Sequence, residues 1–246
     1  MLNNLQTKAY GLFTFGGKSS RDFGMVITDA PAFDKPTRKT TVYNVPGRNG
    51  AIIFQQDAYE DTKRSYNVAC LHDRASVSNK IAEFVSYLLS VNGYARLEDD
   101  FEPDFYRLAY YSGGDNFESV MNEAGTGTIT FACRPERFLK SGSIDIDKSD
   151  GGAVVNPTTH TAKPLIRIAG STAVNITVNG ATMHVQPQQN KVLVIDCDEQ
   201  NAYFADGTNA NNLISGEFPM LKPGENVITL STTANELYIT PRFFEL

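Results

Sequence analysis

The chain has 246 residues, 41% hydrophobic and 11% aromatic, and 22 Lys+Arg against 28 Asp+Glu give a net charge of −6. That composition excludes a disordered or low-complexity chain, and the length allows one or two domains with a sizeable core. The acidic balance and the lack of clustered Lys/Arg argue against a sequence-specific nucleic-acid binder, which needs a basic footprint.

Met1 to Lys8 lacks the charged and apolar regions of a secretory signal, and no run reaches the ~18 apolar residues of a membrane span. No membrane anchor is expected. Gly11 to Gly17 bears three glycines, but no Lys-Ser/Thr follows in Walker register. Strand signals then appear at Gly24–Ile27, Lys39–Val45 and Ser65–Leu71, where side chains alternate between Pro and Gly boundaries. Val45-Pro46-Gly47-Arg48-Asn49-Gly50 is a turn, since Pro fixes φ and Gly supplies positive φ.

A single helix is predicted where Val77, Ile81, Phe84, Val85, Leu88 and Leu89 recur at spacings of three and four. Ser76 or Ser78 caps its start and Asn92-Gly93 ends it in a left-handed turn. Its apolar stripe docks on a sheet while Lys80, Glu83 and Ser86 meet water. Strands resume at Tyr94–Leu97, Tyr106–Tyr111 and Gly127–Cys133.

A small, polar connector follows, spanning residues 139–152. Residues up to 140 are close to neutral, whereas the remainder carries most of the net negative charge and is rich in Asn and Thr. The expected division is therefore a domain over 1–138, a linker over 139–152 and a domain over 153–246. The last part reads as strands throughout: Pro164–Ile168, Val174–Val178, Met183–Val185, Lys191–Ile195, Asn226–Leu230 and Glu236–Thr240. Asn179-Gly180 joins two of them as a hairpin. The rhythm is that of a β-sandwich.

The kit for catalysis is missing from the sequence. There are three histidines, His72, His160 and His184, and no nucleophile elbow, zinc motif or phosphate loop. Cys70, Cys133 and Cys197 lack metal or redox spacing and read as buried thiols of a chain made in a reducing cytosol, where the sequon Asn175-Ile176-Thr177 is idle. No cofactor is expected. Asp145-x-Asp147-x-Ser149-Asp150 imitates a calcium loop but lacks its turn glycine and final glutamate. The carboxylates of Glu98–Asp104 suggest an ion site or a glycosidase pair, and a solvated turn before Pro103 is the better reading. Tyr106, Tyr110, Tyr111, Phe117, Phe131 and Phe138 read as core before they read as a sugar platform. Phe243 and Phe244 point to opposite faces of a strand, which makes them candidate interdomain or interface contacts.

Several stretches in order carry a resemblance: Ser20–Ile27, Val45–Gly50, the helix ending at Asn92-Gly93, Leu97-x-x-Asp100-x-x-Pro103-Asp104-x-Tyr106 and Phe131-x-Cys133-x-Pro135. Asn156-Pro157, Pro164–Gly170, Val178-Asn179-Gly180, Phe218–Asn226 and Thr240–Phe243 continue it. Together they resemble the distal tail protein of long non-contractile-tailed phages, or prophages, of Gram-positive hosts. Phe243 departs from the tryptophan expected in such a C-terminal signature.

The resemblance implies a mainly β fold: an N-terminal β domain with one α-helix and a projecting hairpin, forming the belt of a hexameric ring, and a C-terminal galectin-like or carbohydrate-module-like β-sandwich. It implies a structural role at the virion tail tip, assembled in the host cytoplasm, with the tail tube protein, the tail-associated hub protein and a receptor-binding protein as partners. Val45, Pro46, Gly47, Arg48, Asn49, Gly50, Ile52 and Phe54 are the candidate oligomer interface. The alternatives are a carbohydrate-binding module that stacks sugars on Tyr203, Phe204 and Phe218, and a glycosidase using the 98–104 carboxylates.

Overall fold

The structure, a computed structural model, describes residues 11–32, 34–71, 77–114, 116–120, 124–233 and 236–246. The chain forms two compact units, one running up to Arg137 and including Leu246, the other spanning Phe138–Glu245. The mainly β class holds, with one α-helix among the described residues.

In the first unit the strands are β1 (Phe13–Phe15), β2 (Lys18–Ser19), β3 (Met25–Ile27), β4 (Arg38–Tyr43), β5 (Ile52–Tyr59), β6 (Thr62–Leu71), β7 (Ala95–Asp99), β8 (Phe105–Tyr111), β9 (Phe117–Val120) and β10 (Ala124–Leu139). Helix α1 (Val77–Ser90) lies between β6 and β7. The main sheet has the order β2-β1-β7-β8-β10-β6-β3, and β9 pairs with the start of β10. Alternation explains its burial: Phe13, Phe15, Tyr66, Val68, Ile129 and Phe131 all point to one core. There Tyr66 stacks on Phe13 at 4.9 Å and Phe15 meets Phe131 at 4.8 Å.

Helix α1 follows the predicted stripe in part. Val77, Phe84 and Leu88 are buried and Ile81 packs beside them, but Leu89 is exposed, because it lies at the outer edge of the apolar arc. Lys80 is half-buried and pairs with Glu83 at 2.9 Å. The helix sits so close to β10 that a Cβ at Gly125 would lie 2.6 Å from the Ile81 side chain. Gly93 has φ 70°, the left-handed conformation expected after the helix. Ser76, one of the two expected caps, lies outside the described residues.

The second unit contains β11 (Ile146–Asp147), β12 (Gly152–Asn156), β13 (Leu165–Ala169), β14 (Val174–Val178), β15 (Ala181–Val185), β16 (Val192–Asp196), β17 (Asn201–Phe204), β18 (Ile214–Gly216), β19 (Gly224–Leu230), β20 (Glu236–Thr240) and β21 (Phe244–Glu245). Two five-stranded sheets, β11-β20-β13-β16-β17 and β12-β19-β14-β15-β18, enclose one apolar core as a β-sandwich. The β14–β15 hairpin turns through Asn179 (φ 51°) and Gly180 (φ 91°), the pair of positive φ values its sequence requires.

Residues 139–152, expected as a linker, are folded into this unit. Lys140–Ser143 is a 3-10 turn, and Ile146 and Asp147 pair with Ile239 and Tyr238. Apolar Ile146 seals a sheet edge that composition alone hid. Two buried asparagines brace the unit from within. Asn226 is fully buried; its amide donates to the carbonyls of Lys222, Gly224 and Val154, and its oxygen accepts from Lys222 N and Asn179 Nδ2. Asn156 does the same for His160, Leu221 and Thr158.

Candidate functional site: an exposed apolar arm

Strands β4 and β5 pair only with each other among the described strands, and every residue of β4 is exposed. The register sets Tyr43 opposite Ile52, Val42 opposite Ile53 and Thr41 opposite Phe54. Because side chains alternate, Tyr43, Ile52 and Phe54 share one face while Val42 and Ile53 share the other. Both faces of the tip are apolar and in water: Val42 is 53% exposed, Tyr43 56%, Ile53 60% and Phe54 58%. Tyr43 and Phe54 meet edge-to-face at 5.7 Å, an aromatic contact that orders the tip.

The turn closes as its residues dictate. Val45, Pro46, Gly47, Arg48, Asn49 and Gly50 are all exposed, with Gly47 at φ 80° and Gly50 at φ 79°, and the Arg48 N–H donates to the Val45 carbonyl at 3.2 Å. The candidate interface residues are thus gathered on one arm. Val42, Tyr43 and Ile53 belong with them and were not singled out. The signal for them was the run Ile52-Ile53-Phe54, since adjacent apolar residues in a strand place apolar groups on both faces. The alternation of Lys39–Val45 predicted a strand, and β4 forms there with every residue exposed.

Phe243 and Phe244 sit elsewhere. Phe243, expected at an interdomain or interface contact, is 5% exposed inside the second unit's own core, and a Cβ at Gly142 would lie 2.5 Å from its backbone nitrogen. Phe244 is half-buried beside Phe138 and His160, with the His160 ring stacked at 5.3 Å. Residues of the same unit therefore occupy both faces. Arg242 fastens this segment by a two-pronged pair to Asp196, both contacts at 2.8 Å. Burial raises the Asp196 carboxyl, but the Arg242 guanidinium and the Glu199 and Asp198 N–H groups outweigh it and hold the carboxyl below its usual value.

The acidic stretch is a solvated turn only in part: Asp100, Pro103 and Asp104 are exposed. Asp99 and Glu102 are buried, because their partners come from distant strands. Arg64 of β6 donates to Asp99 Oδ2 through Nη2 at 2.7 Å and Nε at 3.1 Å, and the Tyr66 hydroxyl donates to the same oxygen at 2.7 Å. Glu102 is held by Arg64 at 3.2 Å and by Arg107 and Arg137 at 2.5 Å each. Burial raises the Glu102 carboxyl, yet Arg107 and Arg137 outweigh it and the group ends below its usual value. These two carboxylates are committed to arginines. In the Asp145–Asp150 stretch, Asp147 accepts from the Ser149 N–H and hydroxyl, and Asp145 pairs with Arg167. Among the described residues no group of three or more His, Cys, Asp or Glu is arranged to hold a metal.

Of the aromatic platforms, Phe131 and Tyr111 are core. Of the sugar-stacking candidates, Phe204 is buried and Tyr203 and Phe218 are half-buried. Phe218 borders an open groove of about 720 Å³ with Met220, Gln200 and Lys222. His184 bonds Asn175 at 2.7 Å, and His72 lies outside the described residues.

Residues 155–243 match the family model described as siphovirus-type tail component, C-terminal domain. The matched residues lie within the second unit. The fold extends the match: it is similar to the crystal structure of SPP1 Dit, described as a paradigm of the hub adsorption apparatus in phages that infect Gram-positive bacteria, with a TM-score of 0.71 at 13% identity over 93% of this chain and 98% of that one. It is also similar to a chain of the phage P2 baseplate in its activated conformation with Ca, with a TM-score of 0.51 at 10% identity over 93% of this chain and 97% of that one. No curated protein matches the chain in sequence. The chain has a Dit-like fold.

Proposed function

We propose that the protein closes into a hexameric ring at the tail tip of a phage or prophage of a Gram-positive host, joining the tail tube to the tail-associated hub and carrying the receptor-binding apparatus. The observation that carries this reading is the arm, whose tip is apolar and exposed on both faces. An isolated two-stranded hairpin is marginal, and clustered exposed apolar groups mark contact surfaces. Six head-to-tail contacts close a ring when each subunit offers an arm and a different patch that receives it. The first unit is then the belt, and the arm acts by assembly, without turnover of a substrate.

Light scattering and negative-stain imaging of the full chain test this. Six copies of the 27.0 kDa chain give about 162 kDa. The comparison variant removes residues 41–54 and joins Thr40 to Gln55, which face each other in register, through an Asn-Gly turn. The full chain is expected to form sixfold particles and the shortened chain to stay near 27.0 kDa. Rings that persist without the arm, or a full chain that stays monomeric at high concentration, overturn the proposal.

A further inference from the structure

The arm leaves the body of the first unit by two legs, and one buried side chain links the first to the strand that continues the second. The outgoing leg is the connection from β3 to β4; the returning leg runs from β5 through Glu60 and Asp61 directly into β6. Arg64 stands on β6, three residues into the body from Asp61 and 2% exposed. Its Nη1 donates to the carbonyl of Ala32 on the outgoing leg at 3.1 Å, while Nε and Nη2 are fixed on Asp99. Pro31 beside that carbonyl is buried, and Asp34, Lys35 and Pro36 roof a cavity of about 160 Å³ over Arg107 and Arg137, the same arginines that hold Glu102. Two further contacts brace the root: Glu60 N–H to the Thr37 carbonyl at 2.9 Å, and the Tyr94 hydroxyl to Asp61 at 2.8 Å.

A buried ion cluster is a costly way to gain stability, because desolvation consumes most of the attraction and an apolar filling of equal volume serves as well. What such a cluster supplies is geometry. A guanidinium is planar, and its donors lie at fixed angles, so two donors on Asp99 define the direction in which the third meets Ala32. Asp99 is itself immobilised: its second oxygen accepts from the N–H groups of Phe101 and Glu102 and the first accepts from Tyr66.

We propose that Arg64 is a positioning residue for the arm: the buried Arg64–Asp99–Glu102 cluster ties the outgoing leg to the strand that continues the returning leg and so fixes the arm's direction within its own unit before any partner is met. This deepens the assembly reading above and rests on it for its functional meaning. A lysine at this position keeps the charge but offers one compact ammonium, which stays with the carboxylates and leaves the Ala32 carbonyl.

The test reads arm direction without reading assembly. The native cysteines are all buried, so spin labels on Thr41→Cys in the arm and Ser86→Cys on α1, both exposed, report one distance inside the first unit. Labelled full chain diluted in excess unlabelled protein is expected to give a narrow distance distribution, which roughly doubles in width in Arg64→Lys while far-UV circular dichroism is unchanged. A folded Arg64→Lys chain with the native distribution overturns the proposal. Should Arg64→Lys lose its fold, Asp99→Asn, which keeps shape and an acceptor oxygen, carries the same measurement with the same two outcomes. Rings formed by the arm-shortened chain would sink the assembly reading alone, since the distance distribution still decides the tether.

Discussion

Phe54→Ala is the sharpest single perturbation of the arm, because its effects on folding and on assembly differ widely in size. The side chain is 58% exposed and an aromatic residue buries roughly 150–250 Å² when fully covered, so about 100 Å² remains to be covered by a partner. At about 25 cal/mol per Å² this is about 2.5 kcal/mol per contact, close to two orders of magnitude in contact strength. The folded chain loses only an exposed side chain and the edge-to-face contact with Tyr43, about 0.5–1 kcal/mol and local to the tip. Sedimentation across a dilution series should therefore move the half-assembly concentration up by about a hundredfold, while the melting temperature falls by no more than about 3 °C. Val155→Ala, equally exposed but outside the arm, should leave both unchanged. A Phe54→Ala chain that assembles like the parent refutes the reasoning, since no other step assigns the arm's apolar tip to a contact.

Other outcomes follow from the interior. Asn226→Ala removes the side-chain partners of the Lys222 N–H and the Val154 carbonyl in a fully buried site and should cost about 2–4 kcal/mol, read as an earlier urea transition. Glu102 and Asp196 both sit below their usual values of 4.5 and 3.8, so each contributes stability that is fully present above those values and is lost as pH falls through the lower folded ones. Urea titrations from pH 7 to pH 3 should show stability falling below about pH 4.5, and Glu102→Gln should lower the plateau and flatten that acid limb. Cys133 and Cys197 are pushed up to about 12 by burial, so at pH 8 a thiol reagent should label them only after unfolding; rapid labelling of the native chain would contradict the packed cores drawn around them.

Local rules were legible in the sequence wherever one stretch of chain decides its own conformation. Asn179-Gly180 needs no distant partner to demand positive φ, and the α1 stripe needs only its own spacing. Legibility failed where a residue's state depends on strands far along the chain. Asp99 and Glu102 read as solvated carboxylates because their arginines come from β6, β8 and β10, at sequence distances of 35 residues for Arg64–Asp99 and Arg137–Glu102. Phe13-Thr14-Phe15 was too short to show a period, yet it stands at the centre of the first core. Residues 139–152 looked like a linker because they are rich in Gly, Ser and Asp, and only the pairing of Ile146 and Asp147 with β20 shows a sheet edge there.

The arm inverts this pattern, and the inversion explains why it can be recognised. Its sequence obeys every local rule of a hairpin: alternating strands, a Pro-Gly turn and β-branched or aromatic residues at the tip. Those same residues make a poor surface for an isolated chain, since both faces of the tip are apolar and its own unit covers neither. A strand pattern that agrees with the fold but disagrees with solvent is a sign that part of the environment lies outside the chain. The buried Arg64 cluster presents the complementary case, charge placed where solvent is absent. Each is unfavourable by itself. The apolar tip lies at the far end of β4 and β5 and the Arg64 cluster at their root, so aiming the tip at a partner and anchoring the root by ionic geometry are two parts of one arrangement.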